Sequence, residues 1–207
     1  MKNAFTSVCT ENFFKDPHEI IKIAKKIKFK PSKYISGSRT DSLHKIDIDL
    51  HQYINKKIIS IFYAGVKKIK FTAKTYFQKS KPDKNDGWVH ADESTLTAII
   101  YLTPNNTSGT SIFCLKEQSI IPDWKVGFQE KHKFFNKQHK YSEKDKKLFF
   151  NKKLKHNNYF EKTINYQGKF NRMVCFDSKQ YHSAEVCNKE RLILISFIDN
   201  IVDYEKK

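Results

Sequence analysis

Arginine is almost missing from this chain. Of its 39 basic residues only Arg39, Arg172 and Arg191 are not lysine, although the formal charge reaches +17 over 207 residues. So basic a chain invites a nucleic-acid reading. Surfaces that read bases or clamp phosphates recruit the two-pronged guanidinium, however, and its scarcity weakens that reading. The chain is also rich in Asn, Ile and Phe, so the lysine excess fits a bias of coding composition. Cysteine is equally uninformative. Cys9, Cys114, Cys175 and Cys187 match no C-x-x-C or zinc-ribbon spacing. They read as reduced thiols in a cytoplasmic protein. No apolar run is long enough to cross a membrane. The opening "MKNAFTSVCTENFFKD" lacks the apolar stretch of a signal peptide, which points the same way.

What the chain does have is aromatic and aliphatic material, with 17 Phe among its 207 residues. That is enough for one domain with a real core spanning residues 1–207. "KDPHEIIKIAKKIKF" carries helix start signals, with Asp16 as cap and Pro17 in the first turn. Ile20, Ile21, Ala24 and Ile27 then share one face. Residues 49–66 form a second amphipathic pattern through Leu50, Ile54, Ile58, Ile61 and Phe62. Residues 1–67 are thus predicted as a helical support, with "YISGSRTDSL" as a loop. From residue 68 short apolar runs alternate with turns, and strands return after residue 168. Between them, residues 125–169 hold thirteen Lys against four acidic residues. This stretch reads as a surface insertion, placed at 120–167, whose charge is most simply a solvated face. The expected fold is α+β and mainly β: a jelly roll over residues 68–119 and 168–200 with N-terminal helices.

One short stretch carries chemistry. In "GWVHADES", His90 and Asp92 are two apart, and on an extended chain such side chains share a face. Two histidines and one carboxylate on one side of a metal, with the other positions open, suit Fe(II). His182, in "DSKQYHSAEV", is the candidate third ligand, at the start of a later strand. The remaining histidines lie in the helical N-terminal region or among the insertion's lysines. Nine residues after His182 comes Arg191, opening the apolar run "RLILISFI". An arginine buried there needs an anion. A carboxylate of a small diacid fits, with Tyr101 of "AIIYLT" able to add a phenolic hydrogen bond. Pairing of Arg191 with Glu185 or Glu190 at the surface is the plainer alternative, as is simple packing for Tyr101. Cys175 and Cys187 flank His182 but bring no zinc spacing.

At these residues the sequence resembles the Fe(II)- and 2-oxoglutarate-dependent oxygenases, most closely their prolyl-hydroxylase-like branch. The shared pattern is His90-Ala91-Asp92, then the distal His182, then the basic Arg191. "IYLT" stands where many members carry "YYLN", with Thr103 in place of the Asn. The upstream "FFKDPHEIIKIA" and "YISGSRTDSL" resemble an uncharacterised group of phage and marine bacterial members. The resemblance implies a double-stranded β-helix, iron held by His90, Asp92 and His182, and 2-oxoglutarate held by Arg191 and Tyr101. It implies oxidative decarboxylation of 2-oxoglutarate by O2, coupled to hydroxylation of a C–H bond, with protein or peptide side chains as favoured substrates. Trp88, Tyr76 and Phe197 are candidates for pocket walls, though core packing suits them as well. Two other classes stay open: a nucleic-acid-directed oxidative demethylase, working through the Lys-rich surface, and a non-enzymatic jelly-roll binding module.

Overall fold

The computed structural model describes residues 6–32, 35, 37–65, 68–84, 86–117, 124–137 and 141–203. Two helices lead, as the periodicity predicts. In α1 (Pro17–Lys26) the Asp16 carboxylate accepts from the amides of His18 and Glu19, while Ile20 and Ala24 are buried. Asp47 caps α3 (Ile48–Phe62), which buries Ile54, Ile58 and Ile59. A single-turn helix, α2 (Leu43–Ile46), precedes it.

Seven strands make the larger sheet. They are β1 (Ser7–Thr10), β2 (Lys30–Pro31), β3 (Gly37–Arg39), β4 (Ile69–Ser80), β5 (Leu96–Tyr101), β8 (Met173–Asp177) and β10 (Arg191–Asp203), in the order β1-β8-β5-β10-β4-β3-β2. The smaller sheet holds β6 (Thr110–Leu115), β7 (Phe160–Tyr166) and β9 (Tyr181–Ala184), in the order β7-β6-β9. All pairings are antiparallel. The two sheets form the jelly roll. Alternation divides the core into two layers. Leu96, Ala98, Ile100, Met173, Cys175 and Leu194 pack against α1 and α3. Ile99, Tyr101, Val174, Phe176, Ile193 and Ile195 face the smaller sheet.

Four strands fall outside the segments expected to build the sheets, among them the two-residue β2, which lies in the predicted helical support and pairs with β3. β1 comes from the predicted helical support and pairs with β8 along the sheet edge. β3 lies in the predicted loop and pairs with β4. β7 comes from the predicted insertion and pairs with β6. In β7 most side chains point to solvent, so its sequence carries no apolar alternation to betray it. The insertion itself contributes α4 (Trp124–Lys137) and α5 (Glu143–Asn157). Far from being only a solvated face, it buries aromatic rings. Phe134 and Phe149 stack with centroids 3.9 Å apart, and both pack with Trp88 in a third apolar cluster. Lys133, Lys144, Lys147, Lys152 and Lys155 lie on the other side of these helices, where their charge stays in water, while Lys131 and Lys153 turn inward.

Candidate metal centre

His90 and His182 meet across the backbone. The His90 amide donates to the His182 carbonyl at 3.0 Å, and the His182 amide donates back at 2.8 Å. Similar bonds join Asp83 to Cys187 and Gly87 to Ala184, so Asp83, Gly87 and His90 lie antiparallel to β9 and the residues just after it. The Asp92 amide donates to Ser178. This lacing brings His182 to His90 and Asp92, which lie ninety or more positions earlier in the chain. Their ligand atoms all fall within 4.8 Å of one another, the only such group of three among the described residues. Asp92 places Oδ2 3.3 Å from His182 Nε2 and Oδ1 3.7 Å from His90 Nε2.

Outer contacts aim each ligand. His90 Nδ1 donates to the Trp88 carbonyl at 2.7 Å, and His182 Nδ1 donates to the Gln180 carbonyl at 2.8 Å. Both bonds leave Nε2 as the bare nitrogen facing the carboxylate, the tautomer a metal ligand needs. Thr97 Oγ1 donates to Asp92 Oδ2 at 3.0 Å and also bonds Ser178. Burial above all, with the Lys131 charge beside it, pushes His90 well below the usual histidine range, which keeps it neutral. Burial works against the Asp92 carboxylate. His182, His90 and Lys131 outweigh it and hold the group ionised far below the ordinary range. Cys175 belongs to the layer packed on the helices, away from this site, and burial raises its thiol strongly.

The three ligands line a cavity of about 940 Å³, which Arg191, Thr110, Trp88 and Phe197 also line. Arg191 is 5% exposed. One of its terminal nitrogens donates to the carbonyls of Ser108 and Gly109, at 3.2 and 3.1 Å, and to Ser108 Oγ. Gly109 must be glycine here, since a Cβ would stand 1.7 Å from the Tyr166 carbonyl. The plainer surface pairing of Arg191 is not seen. Glu185 bonds Lys162 and Ser111, while Glu190 lies 3.9 Å from Lys79. Among the described residues, two buried side-chain donors lack any partner, Arg191 Nε and Trp88 Nε1, and both belong to residues lining this cavity. Buried donors left unmatched mark a place for a ligand acceptor. Tyr101 is buried beside Arg191 with its hydroxyl donating to Thr110 Oγ1 at 2.9 Å; burial pushes that phenol up to about 12. Tyr76 packs against the apolar layer facing the cavity.

Sequence reasoning missed what the insertion does here. Asn157 donates to the Gly87 carbonyl and accepts from the Val89 amide, and His156 Nε2 donates to the Val89 carbonyl. Lys153 donates to the Asp86 carbonyl at 2.8 Å. α5 thus clamps the segment that leads into His90. Lys131, on α4, sets its ammonium 3.3 Å from His90 Nε2. Burial, above all, pushes it down to about 8. Nothing in a lysine-rich stretch marks one lysine as inward-facing. The only available hint was Phe134 and Phe135, three and four residues on, which define a buried helix face.

A family model matches residues 5–193. The chain belongs to DUF6445, a family of unknown function. No curated protein matches this DUF6445 sequence. Solved structures do match it in fold. HygX from Streptomyces hygroscopicus, with nickel and 2-oxoglutarate bound, aligns at a TM-score of 0.58 and 8% identity, covering 94% of this chain and 83% of that one. The epimerase SnoN, in complex with Fe3+, alpha ketoglutarate and nogalamycin RO, aligns at 0.56 and 10% identity, covering 93% and 78%. A prolyl hydroxylase from Trichoplax adhaerens, in complex with a peptide fragment of hypoxia inducible factor, aligns at 0.54 and 10% identity, covering 97% and 84%. At such identities these likenesses establish the fold. No helix among the described residues is long and apolar enough to cross a membrane.

Proposed function

We propose that this chain is an Fe(II)- and 2-oxoglutarate-dependent oxygenase that hydroxylates a protein or peptide side chain. One observation carries the reading: His90, Asp92 and His182 converge with both Nε2 atoms bare, in the same cavity as a buried arginine that has no carboxylate partner. Two neutral imidazoles and one carboxylate would hold the iron, and that donor set suits Fe(II) with open positions. Iron with 2-oxoglutarate supplies the oxidising chemistry when bound, turning O2 and the cosubstrate into succinate, carbon dioxide and an oxygen atom for a C–H bond. The protein's part is binding and position. Arg191 meets the far carboxylate of the cosubstrate in a charge-assisted pair, with Thr110, held by Tyr101, beside it. Thr97 fixes the Asp92 carboxylate, the carbonyls of Trp88 and Gln180 fix the two rings, and the aromatic rings of the insertion exclude water.

The peptide bound to the Trichoplax prolyl hydroxylase supports a protein or peptide substrate. A second reading, a small-molecule substrate, has its own support. The cavity is roofed by α4 and α5 and has the size of a drug-like pocket, and another HygX structure holds hygromycin B. The deciding experiment is anaerobic titration with Fe(II) and then 2-oxoglutarate, following the visible charge-transfer band of the chelate. The native protein should give the band and His90→Ala should not. A well-folded native protein without the band would sink the reading.

A further inference from the structure

One lysine of the insertion stands among the metal ligands. Lys131 Nζ donates to His90 Nε2 at 3.3 Å. That nitrogen is the one left to it, because His90 Nδ1 is committed to the Trp88 carbonyl. His90 Nε2 carries a single lone pair, and a metal coordinates through the same one. The ammonium also faces the Asp92 carboxylate, which attracts it, and Arg39, which repels it. Asp92 belongs to the same ligand set, whose atoms lie within 4.8 Å of one another. Lys131 thus offers one positive charge to two of the three donors that would hold iron. The helix that carries it is fixed: Phe134 stacks on Phe149 at 3.9 Å, and Phe135 meets the same ring edge-on at 6.2 Å. The four-carbon stem of the lysine can still turn. A buried carboxylate is costly without a cation beside it. A metal ion and an ammonium at the same two donors repel each other.

We propose that Lys131 is an internal counter-cation of the metal centre: it keeps His90 and Asp92 paired until a metal arrives, and the metal must displace it to bind. The inference rests on the oxygenase reading through its three ligands, and adds the residue that sets how much free iron is needed to fill the site. Lys131 acts through His90 and Asp92, as a positioning residue.

The test is calorimetric titration of the full chain with Mn(II), a divalent neighbour of Fe(II) that also accepts carboxylate ligands, at one fixed pH and ionic strength. Lys131→Met should bind Mn(II) about tenfold or more tightly than the native protein, because one opposing charge beside the metal is gone. A side chain that served packing alone would, when replaced, leave the affinity unchanged or weaken it. Lys131→Arg keeps the charge and should stay close to native. Lys147→Gln, exposed on α5, removes a charge that water already screens and should change nothing. Without metal, Lys131→Met should melt below the native protein, since Asp92 has lost its cation. Saturating Mn(II) should narrow that gap. Lys131→Gln repeats the comparison should the Met variant not fold. Affinity that is unchanged or weaker in the neutral variants, or raised equally in Lys131→Arg, would overturn this inference alone, as would a metal-free neutral variant as stable as the native protein. A folded native protein that binds no Mn(II) would overturn the metal centre and this inference together.

Discussion

On the face of the larger sheet that meets α1 and α3, β5 presents Leu96, Ala98 and Ile100; on the opposite face it presents Thr97, Ile99 and Tyr101. β10 does the same, with Leu194 and Ile198 turned to the helices and Arg191, Ile193 and Ile195 turned to the cavity. One face is a closed apolar layer. The other mixes apolar side chains with a buried hydroxyl, a buried phenol and a buried guanidinium. The helical face gains stability from each methylene it hides. The cavity face gives some of that up, because unmatched donors such as Arg191 Nε are costly until a ligand meets them. Stability and function are therefore separated by a single residue of phase along the same strands.

That separation can be broken from either side. The largest effect is expected for Asp92→Ala, which removes a ligand outright. Its loss of iron binding and of 2-oxoglutarate turnover should exceed the ~10–100-fold cost of losing an outer partner of a metal ligand. The variant should still melt cooperatively, and a turnover assay at near-native rate would refute the assignment. On the other face, Leu194→Ala should cost about 2–5 kcal/mol in urea unfolding, from lost transfer energy and the cavity left behind. Iron affinity of the folded variant should stay native. Arg191→Met sits on the functional side and should raise the 2-oxoglutarate needed for half-saturation by roughly 10–100-fold, about 1.5–3 kcal/mol for a hydrogen bond to a charged group. An unchanged half-saturation would leave Arg191 a purely structural residue.

Smaller effects sharpen the comparison at the roof of the cavity. Asn157→Ala removes two hydrogen bonds between α5 and the Gly87–Val89 segment, each worth about 1 kcal/mol. Amide exchange should quicken through α5 and residues 87–92 and stay native in α3; uniform quickening would mean that the clamp is not local. The smallest effect is on pH. Burial above all pushes His51 and His156 below the usual histidine range, so the fold disfavours their protonated forms. The stability they lend is complete above about pH 6.5 and falls as acid drives protonation in the unfolded chain first. Urea unfolding should show this decline, and His51→Gln should flatten part of it. Stability that climbed as the pH fell below about 6.5 would contradict the sign.

Much of this molecule was legible beforehand. The capped periodicity of α1 and the apolar runs of β5, β8 and β10 declare themselves because burial of one face or both imposes a pattern on the residues. β1 and β7 did not, because edge strands with exposed side chains need no such pattern; backbone pairing alone makes them strands. Lys131 was illegible for a similar reason. A lysine turned inward and one turned to water are the same letter, and only the stacking of Phe134 on Phe149 decides which is which.

The order His90, Asp92, His182, Arg191 was written in the chain, since strand periodicity puts residues two apart on one face and a buried arginine demands an anion. The residue types suited to a metal and a diacid could therefore be read directly from the chain. Their convergence within 4.8 Å, the inward turn of the bare nitrogens and the closing of the insertion over them came only from the folded packing. The reason is physical. Convergence over ninety residues depends on backbone hydrogen bonds between His90 and His182, and backbone groups are the same at every residue.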